Sequence, residues 1–334
     1  MDTLFLLHHW SDCITFAYSV CCTRRVSECK PTFPGLTMTK LILGLICLAG
    51  YLTAGAADPD RSQELIARGE KVTKAGGGFK FTEGPAVAPD GRVFFTDQPN
   101  DKIEVWSEDG KINTFMQSCE RSNGTFFNKK GELISCADLH NRVVAITMDK
   151  KIRTLTENFN GNHLNGPNDL WIAPDGGIYF SDPYYQRDYW EPVHTEVQDT
   201  RGVYYMNRDG KVQRVISDFQ QPNGLIGTPD GKILYISDIK DHKIWKYTIN
   251  KDGSLSDKSF FAPEGSDGMT IDREGNVYLT NQCVSVFDPK GNNIARIQIP
   301  EQPSNICFGG KKRDILFITA RTSVYTVKMK VRGY

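Results

Sequence analysis

Six residues with side-chain oxygens recur at one position of a repeated sequence unit. Five stand eight residues before the glycine of a predicted hairpin turn, and the sixth lies at the matching place in a unit that lacks this glycine. They are Glu83, Asn123, Asn168, Asn223, Asp267 and Asn305. Two carboxylates and four amides, without His or Cys, form a donor set suited to a hard divalent cation, Ca²⁺ before Mg²⁺ or Mn²⁺.

Turn chemistry is the alternative explanation for these six residues. Asn-Gly and Asp-Gly are common turn sequences, and for Asn123 and Asn305 both explanations stay open. Glu83 fits a turn poorly, because Glu is not a turn former and this one precedes Gly-Pro. Each of the six also comes before a predicted strand, and the hairpin turn follows eight residues later. Taken together, the set favours a ligand role.

The elements that must position these residues are short strands in a repeat of about 45 residues, the range of propeller blades. Each unit contains a first strand, a hairpin turn, a second strand and usually a third. Six such units predict an all-β, six-bladed β-propeller. The last unit lacks an outermost strand, and residues 70–73 are predicted to supply it and close the ring. A pair of β-sandwiches is the alternative fold, but it does not explain six copies of one unit.

In such a propeller the first strands line the central channel, so the six oxygen-bearing side chains should meet at one mouth. The loops between second and third strands open on the same face, and the loop 181–200 of the third unit is the longest. We interpret it as a lid over the substrate, with a flexible surface insertion as the alternative. The candidate substrate-binding residues are Asn123, His140, Asn305, Tyr184 and Tyr185. For His140, an ordinary surface histidine is the alternative.

The N-terminal segment does not follow the repeat. Met38 and Lys40 precede an apolar run over residues 41–52, and Ala54-Gly55-Ala56 follows as a small-residue cleavage site. This order predicts a signal peptide at 38–57, with a short membrane anchor as the alternative. Residues 1–37 are interpreted as a gene-model extension or disordered leader, and 58–334 as the propeller. We therefore expect an exported protein, periplasmic or secreted, with no stable membrane span.

The amino-acid composition argues against several classes of protein. Among 334 residues, 40 basic and 40 acidic side chains balance, which argues against a nucleic-acid partner. An apolar content of 39% argues against a disordered chain. Outside the leader remain Cys119, Cys136, Cys283 and Cys307, as disulfides in one of three pairings or as buried thiols. No Cys-x-x-Cys spacing indicates a zinc ribbon or a redox motif.

Several motifs make the chain similar to a known family. They include Phe81-Thr82-Glu83-Gly84-Pro85, and the full set occupies residues 78–85, 164–169, 179–183, 222–224, 266–269 and 303–310. In this order they resemble the SMP-30/gluconolactonase/regucalcin-like (LRE) six-bladed propellers, over roughly residues 70–330.

The resemblance implies a divalent metal, often calcium, on the channel axis. The matching metal ligands are Glu83, Asn168, Asn223 and Asp267, and the position of the catalytic Asp of lactonase members is Asp267. In several members an Arg two residues before a ligand Asn contacts the substrate. Gly166 stands at that position here, a departure that bears on sugar-acid specificity and not on the metal site.

The resulting hypothesis is a metal-dependent hydrolase that opens a lactone, often a sugar lactone, to the hydroxy acid. The cation, with Zn²⁺ as a further candidate, would polarise the carbonyl, and Asp267 would act as general base. The alternatives are a non-catalytic exported ligand-binding propeller and a phosphotriesterase-like hydrolase on the same metal site. No Gly-x-Ser-x-Gly or His-Glu-x-x-His motif supports a serine hydrolase or a zincin. The partners expected are a small-molecule substrate and, at most, a second copy of the chain, as monomer or dimer.

Overall fold

The computed structural model describes residues 60–190 and 195–334. The predicted leader, 1–37, and the predicted signal peptide, 38–57, lie outside the described residues. In the described part, regular structure is almost entirely β, with one short helix, α1 (Ser62–Leu65), and two single 3₁₀ turns, Gln98–Asn100 and Asp138–His140. None of the helices in these two ranges has the length and apolar character needed to cross a bilayer.

Six antiparallel four-stranded sheets form the blades, and in the first five the strands follow chain order. Blade 1 contains β2 (Thr82–Val87), β3 (Val93–Asp97), β4 (Lys102–Trp106) and β5 (Ile112–Gln117). Blade 2 contains β6 (Ser122–Phe127), β7 (Leu133–Ala137), β8 (Arg142–Ile146) and β9 (Ile152–Thr156). A small hairpin, β10 (Asn158–Phe159) and β11 (Asn162–His163), precedes blade 3.

The remaining blades repeat this pattern. Blade 3 contains β12 (Leu170–Ile172), β13 (Ile178–Asp182), β14 (Gly202–Met206) and β15 (Val212–Ile216). Blade 4 contains β16 (Pro222–Gly227), β17 (Ile233–Asp238), β18 (Lys243–Ile249) and β19 (Leu255–Ala262). Blade 5 contains β20 (Met269–Ile271), β21 (Val277–Thr280), β22 (Val284–Phe287) and β23 (Asn293–Ile297). Blade 6 contains β24 (Asn305–Gly309), β25 (Ile315–Ala320), β26 (Ser323–Lys328) and the N-terminal strand β1 (Thr73–Gly77).

The predicted six-bladed propeller closed by an N-terminal strand is confirmed. β1 runs antiparallel to β26, with Thr73 opposite Thr326 and Gly77 opposite Ser323. The expected position of this strand, 70–73, was wrong by several residues. A turn closed by the bond from Glu70 N to Ala67 O, at 3.0 Å, occupies the residues before it, so pairing begins only at Thr73.

Second strands are apolar without alternation because a blade packs on each of their faces. Successive side chains of a strand point to opposite faces, so Phe94 and Phe95 of β3 serve different neighbours. The Phe94 ring lies 5.1 Å from that of Phe127 in blade 2, and the Phe95 ring lies 5.5 Å from that of Phe317 in blade 6. The core is therefore a set of layers between blades. The four cysteines of the described chain are buried there as free thiols.

In five blades the first strand leaves the regular ladder at the repeated residue. The pairing register shifts directly after it in blade 1 and across it in blades 2 and 4, and in blades 3 and 5 the strand begins two residues later. In blade 6, Asn305 begins β24 and pairs with Thr319. Glycine follows the repeated residue in four blades, and a close approach between blades requires it. A Cβ on Gly84 would stand 1.9 Å from the Asn123 carbonyl oxygen. Neighbouring first strands can thus converge at one mouth of the channel.

Candidate metal and active site

The six repeated residues, hereafter the ring, lie on the first strands of six successive blades or immediately before them. All are nearly inaccessible to solvent except Asp267, which is partly buried. Hydrogen bonds join ring residues across two blade boundaries. Asn305 Nδ2 donates to Glu83 Oε2 at 3.0 Å, and Asn223 Nδ2 donates to Asp267 Oδ1 at 2.9 Å.

Burial governs the acid–base properties of the ring carboxyls. Glu83 Oε2 also accepts a bond from Gly84 N at 2.6 Å, yet burial and then the charge of Asp267 hold the pKa of Glu83 well above its ordinary value. Burial raises the pKa of Asp267 to about 6, although the bond from Asn223 opposes this rise. Loss of water disfavours both carboxylates, and each group would gain from a positive charge beside it.

Two amide oxygens of the ring would also gain from a nearby positive charge. Asn123 Oδ1 and Asn223 Oδ1 are buried without a hydrogen-bond partner, a costly state for a polar atom. Within residues 60–190 and 195–334, no group of three or more His, Cys, Asp or Glu forms a metal cluster. A cation here would therefore rely on amide oxygens together with Glu83 and Asp267. Hard cations bind such oxygens, so the residues present fit a divalent ion of this class.

Asp169 is a channel carboxyl that the sequence analysis missed. It is 7% exposed, and its Oδ1 accepts a bond from Leu170 N at 2.9 Å. Burial, assisted by the charge of Asp267, raises the pKa of Asp169 to about 7. It lines a channel cavity of about 40 Å³ together with Thr125, Met269 and Asn305. The available signal was the doublet Asn168-Asp169, in which Asp replaces the glycine that follows four other ring residues.

The structure separates the candidate substrate-binding residues. The Tyr185 hydroxyl accepts a bond from Asn223 Nδ2 at 2.9 Å and so reaches the ring. The hydroxyl of its neighbour Tyr184 bonds Gln186 Oε1 within the loop, at 2.7 Å. The Asn305 side chain donates its hydrogen bond to Glu83, as described above. Their contact with substrate stays a prediction.

The remaining candidate, His140, is an exposed residue of the 3₁₀ turn after β7. It borders an open cavity of about 860 Å³, together with His163 and the two aromatic residues Tyr189 and Trp190. None of the ring residues lines this cavity among the described parts of the chain.

The absence of a side chain at Gly166 has a structural reason. Its φ is +143°, and a Cβ there would stand 3.3 Å from Asp138 Oδ1 and 3.4 Å from the Trp190 ring. The glycine makes room for the long loop of blade 3. An arginine does stand two residues before another ring asparagine, Arg121 before Asn123. Its guanidinium lies 4.7 Å from the Tyr189 ring centre.

Comparison with known proteins identifies the family of this chain. The model of the SMP-30/Gluconolactonase/LRE-like region matches residues 81–322. The chain belongs to this family. The match runs from β2 to the end of β25, which covers five whole blades and two strands of blade 6, and it includes every ring residue.

Individual relatives agree with this assignment. The gluconolactonase of Zymomonas mobilis is 27% identical over 289 residues, 76% of this chain and 80% of its own. A structural-genomics target described as a candidate gluconolactonase is 30% identical, with a TM-score of 0.78 over 83% of this chain and 98% of its own. Regucalcin of Agrobacterium tumefaciens, described as a calcium-binding protein, shares the fold with a TM-score of 0.67 at 18% identity, over 80% of this chain and 96% of its own.

Proposed function

We propose that this protein hydrolyses a lactone to its hydroxy acid at the ring, with a divalent cation, Ca²⁺ first, held by Glu83, Asn168, Asn223 and Asp267. The observation that carries the proposal is the pair of buried acidic groups beside two amide oxygens without hydrogen-bond partners. The enzyme class predicted from the sequence, a lactone hydrolase, is confirmed by the gluconolactonase relatives. The metal and the residue roles are the new part of the proposal.

The chemistry divides between the cation and the side chains. When bound, a divalent cation would supply the positive charge that polarises the lactone carbonyl and stabilises the oxyanion. Asp267 accepts a proton from the attacking water, whose oxygen bonds to the carbonyl carbon. The ring C–O bond then breaks, and its oxygen takes the proton back from Asp267 to become the hydroxyl of the product. Asn223 occupies Asp267 Oδ1, so we assign Oδ2 to the attacking water.

Other ring residues support this chemistry. Asn305 fixes the Glu83 carboxylate by a bond of 3.0 Å, so Glu83 contributes charge and geometry rather than proton transfer. We assign Asn123 and Tyr185 to contact the substrate beside the cation. Export to the periplasm or the medium is part of the proposal too, and its basis is the segment 38–57 alone.

The test is a panel of sugar and simple lactones and phosphotriesters, assayed with and without a chelator. We expect lactone opening that is lost with chelator and restored by Ca²⁺. Asp267→Asn should lower kcat by about 10²-fold or more, in the range of general-base removal. Asp288→Asn, in the β22–β23 turn of the same blade, is the matched control and should keep full activity.

Different results would contradict different parts of the proposal. Full turnover in the presence of chelator would contradict the cation. Full turnover of Asp267→Asn would remove Asp267 as the base. Ca²⁺ binding without opening of any lactone in the panel would favour a ligand-binding propeller, and hydrolysis of phosphotriesters alone would favour the phosphotriesterase alternative.

A further inference from the structure

The loop of blade 3 contacts blade 2 through several bonds to Asp138, which follows β7. Arg187 Nε donates to Asp138 Oδ2 at 2.8 Å, and the Tyr189 hydroxyl donates to the same oxygen. Trp190 Nε1 donates to the Asp138 carbonyl oxygen at 2.9 Å. The Asp138 side chain is 3% exposed and that of Arg187 is 23% exposed. Two loop side chains thus converge on one buried carboxylate of another blade, and a third bonds the backbone carbonyl of the same residue.

The same loop contacts the opposite side of the channel mouth through Tyr185. Its hydroxyl accepts a bond from Asn223 of blade 4, and the same Asn223 nitrogen donates to Asp267 of blade 5. The Arg187 guanidinium lies 5.3 Å from the centre of the Tyr185 ring. Arg187 therefore contacts both the anchor in blade 2 and the residue that reaches the ring. The described part of the loop spans the mouth from blade 2 to blade 4.

The Tyr185 hydroxyl is suited to contact a substrate. It accepts its bond from Asn223 and keeps its own proton for an acceptor, such as the carbonyl or ring oxygen of a lactone. A phenol holds this proton at neutral pH, since the pKa of an ordinary tyrosine is about 10. A neutral donor beside two carboxylates would add a hydrogen bond to an oxygen that becomes negative during the reaction.

We infer that the Asp138–Arg187 ion pair is a latch that positions Tyr185, and that the Tyr185 hydroxyl donates a hydrogen bond to the lactone; the second part rests on the proposed function. Asp138 and Arg187 are positioning residues that act through Tyr185. Neutralising one member of a buried pair leaves the other charge uncompensated, so the loop should loosen when Asp138 becomes Asn.

A double-mutant cycle tests the inference in the full-length protein loaded with Ca²⁺. We expect Tyr185→Phe to lower kcat/KM for the best lactone about tenfold or more, as loss of a charge-assisted hydrogen bond does. Asp138→Asn should lower it several-fold through the same group, so the double variant should be no worse than Tyr185→Phe. The control is Glu196→Gln, which weakens the bidentate pair with Arg201 in the same loop and should have little effect.

A purely structural role would give a different pattern. If the effects of Asp138→Asn and Tyr185→Phe multiply, Asp138 does not act through Tyr185 and the inference is wrong. Unchanged kcat/KM in Tyr185→Phe would overturn the donor role. Arg187→Lys, which keeps the charge but not the planar fork, should recover part of the activity that Arg187→Met loses.

Hydrogen exchange separates this inference from the proposed function, because it needs no turnover. Asp138→Asn should speed exchange of the amides of residues 184–190, and Glu196→Gln should leave them unchanged. Unchanged exchange in Asp138→Asn would overturn the latch, even in an active enzyme. If the wild-type protein opens no lactone, the proposed function and the donor role fail, and exchange alone decides the latch.

Discussion

Glu83 and Asp267 are acidic side chains held where water is scarce, and this placement gives the ring its chemistry. Each is held by an asparagine of a neighbouring blade, Asn305 for Glu83 and Asn223 for Asp267. The amides fix the carboxylate orientation without neutralising the charge. If the ring binds a cation as proposed, its ligands are already oriented, which would reduce the entropy cost of binding.

Removal of one ring charge should weaken cation binding without unfolding the protein. We expect Glu83→Gln to reduce Ca²⁺ affinity at least tenfold, because the ligand charge falls while the shape is kept. Isothermal titration calorimetry measures the effect. Glu104→Gln is the control: Glu104 is also a buried glutamate of blade 1, but it bonds Thr114 on the outer strand β5. Equal affinity in both variants would remove Glu83 from the ligand set.

Protons should compete with the cation. In the cation-free protein the pKa of Asp267 is raised to about 6, and Asp267 binds a cation only when deprotonated. Ca²⁺ affinity should therefore be at least tenfold weaker at pH 5 than at pH 7, because a proton competes at Asp267 and the raised pKa of Glu83 adds to the effect. Titrations at the two pH values measure this, with circular dichroism to confirm that the fold persists at pH 5. Equal affinities would mean that Asp267 is not a ligand.

At the scale of single elements, the loop before β24 holds the closing strands in register. Glu301 Oε2 accepts bonds from Thr322 N at 3.1 Å and Thr322 Oγ1 at 2.9 Å, and its Oε1 accepts from Tyr325 at 2.9 Å and from Ser323. Lys74 Nζ of β1 lies 3.7 Å from the same Oε1. Burial alone would raise the pKa of Glu301, but these hydrogen bonds outweigh it and lower the pKa to about 2.

This carboxylate should contribute stability that depends on pH. Since its folded pKa lies below its ordinary value, its contribution is present above about pH 4.5 and is lost as pH falls towards 2. Glu301→Gln should lower the free energy of unfolding by about 2 kcal/mol at pH 7, the scale of hydrogen bonds to a charged group, and by much less at pH 3. Urea unfolding at both pH values measures the difference. Glu64→Gln, an exposed pairing partner of Arg61, is the control; a loss at pH 7 no larger than the control would contradict the prediction.

The repeat predicted the blades well because one short pattern recurs with its turn residues in place. The ring position could be counted back from Gly91 or Gly176 without knowledge of the structure. Asp138 and its contacts could not be predicted, because Arg187 lies 49 residues away and nothing local in either segment indicates the other. Asp169 could not be predicted either, because the repeat indicates only one residue per blade. Its raised pKa results from burial, which the sequence does not show.

The described part of the chain is a ring closed by strands from its two ends. β1 covers the edge of β26, and α1 adds Leu65, which is 2% exposed, to the blade 6 core. Propellers resist edge-to-edge association only when every blade edge is short or covered. The closing strand therefore affects both stability and solubility.

Removal of this strand should open the ring. A chain that starts at Gly78 should melt about 6–12 °C below one that starts at Asp60, if the lost strand and Leu65 contribute about 3 kcal/mol. It should also associate through the exposed β26. Differential scanning calorimetry and light scattering measure the two effects. The chain starting at Asp60 is the matched control, and identical melting of the two would show that β1 is dispensable for closure.

The closing strand also determines when the ring can close during synthesis of the chain. β1 is synthesised first, but its partner β26 emerges about 250 residues later. At translation rates of about 5–20 residues per second, β1 waits tens of seconds with its hydrogen-bonding groups unsatisfied. During that interval the blades already formed are not closed into a ring, and β1 has no partner strand. Chaperones, or the proposed export route if it keeps chains unfolded, would bind the protein in this state, before all six blades of the proposed cation site are present.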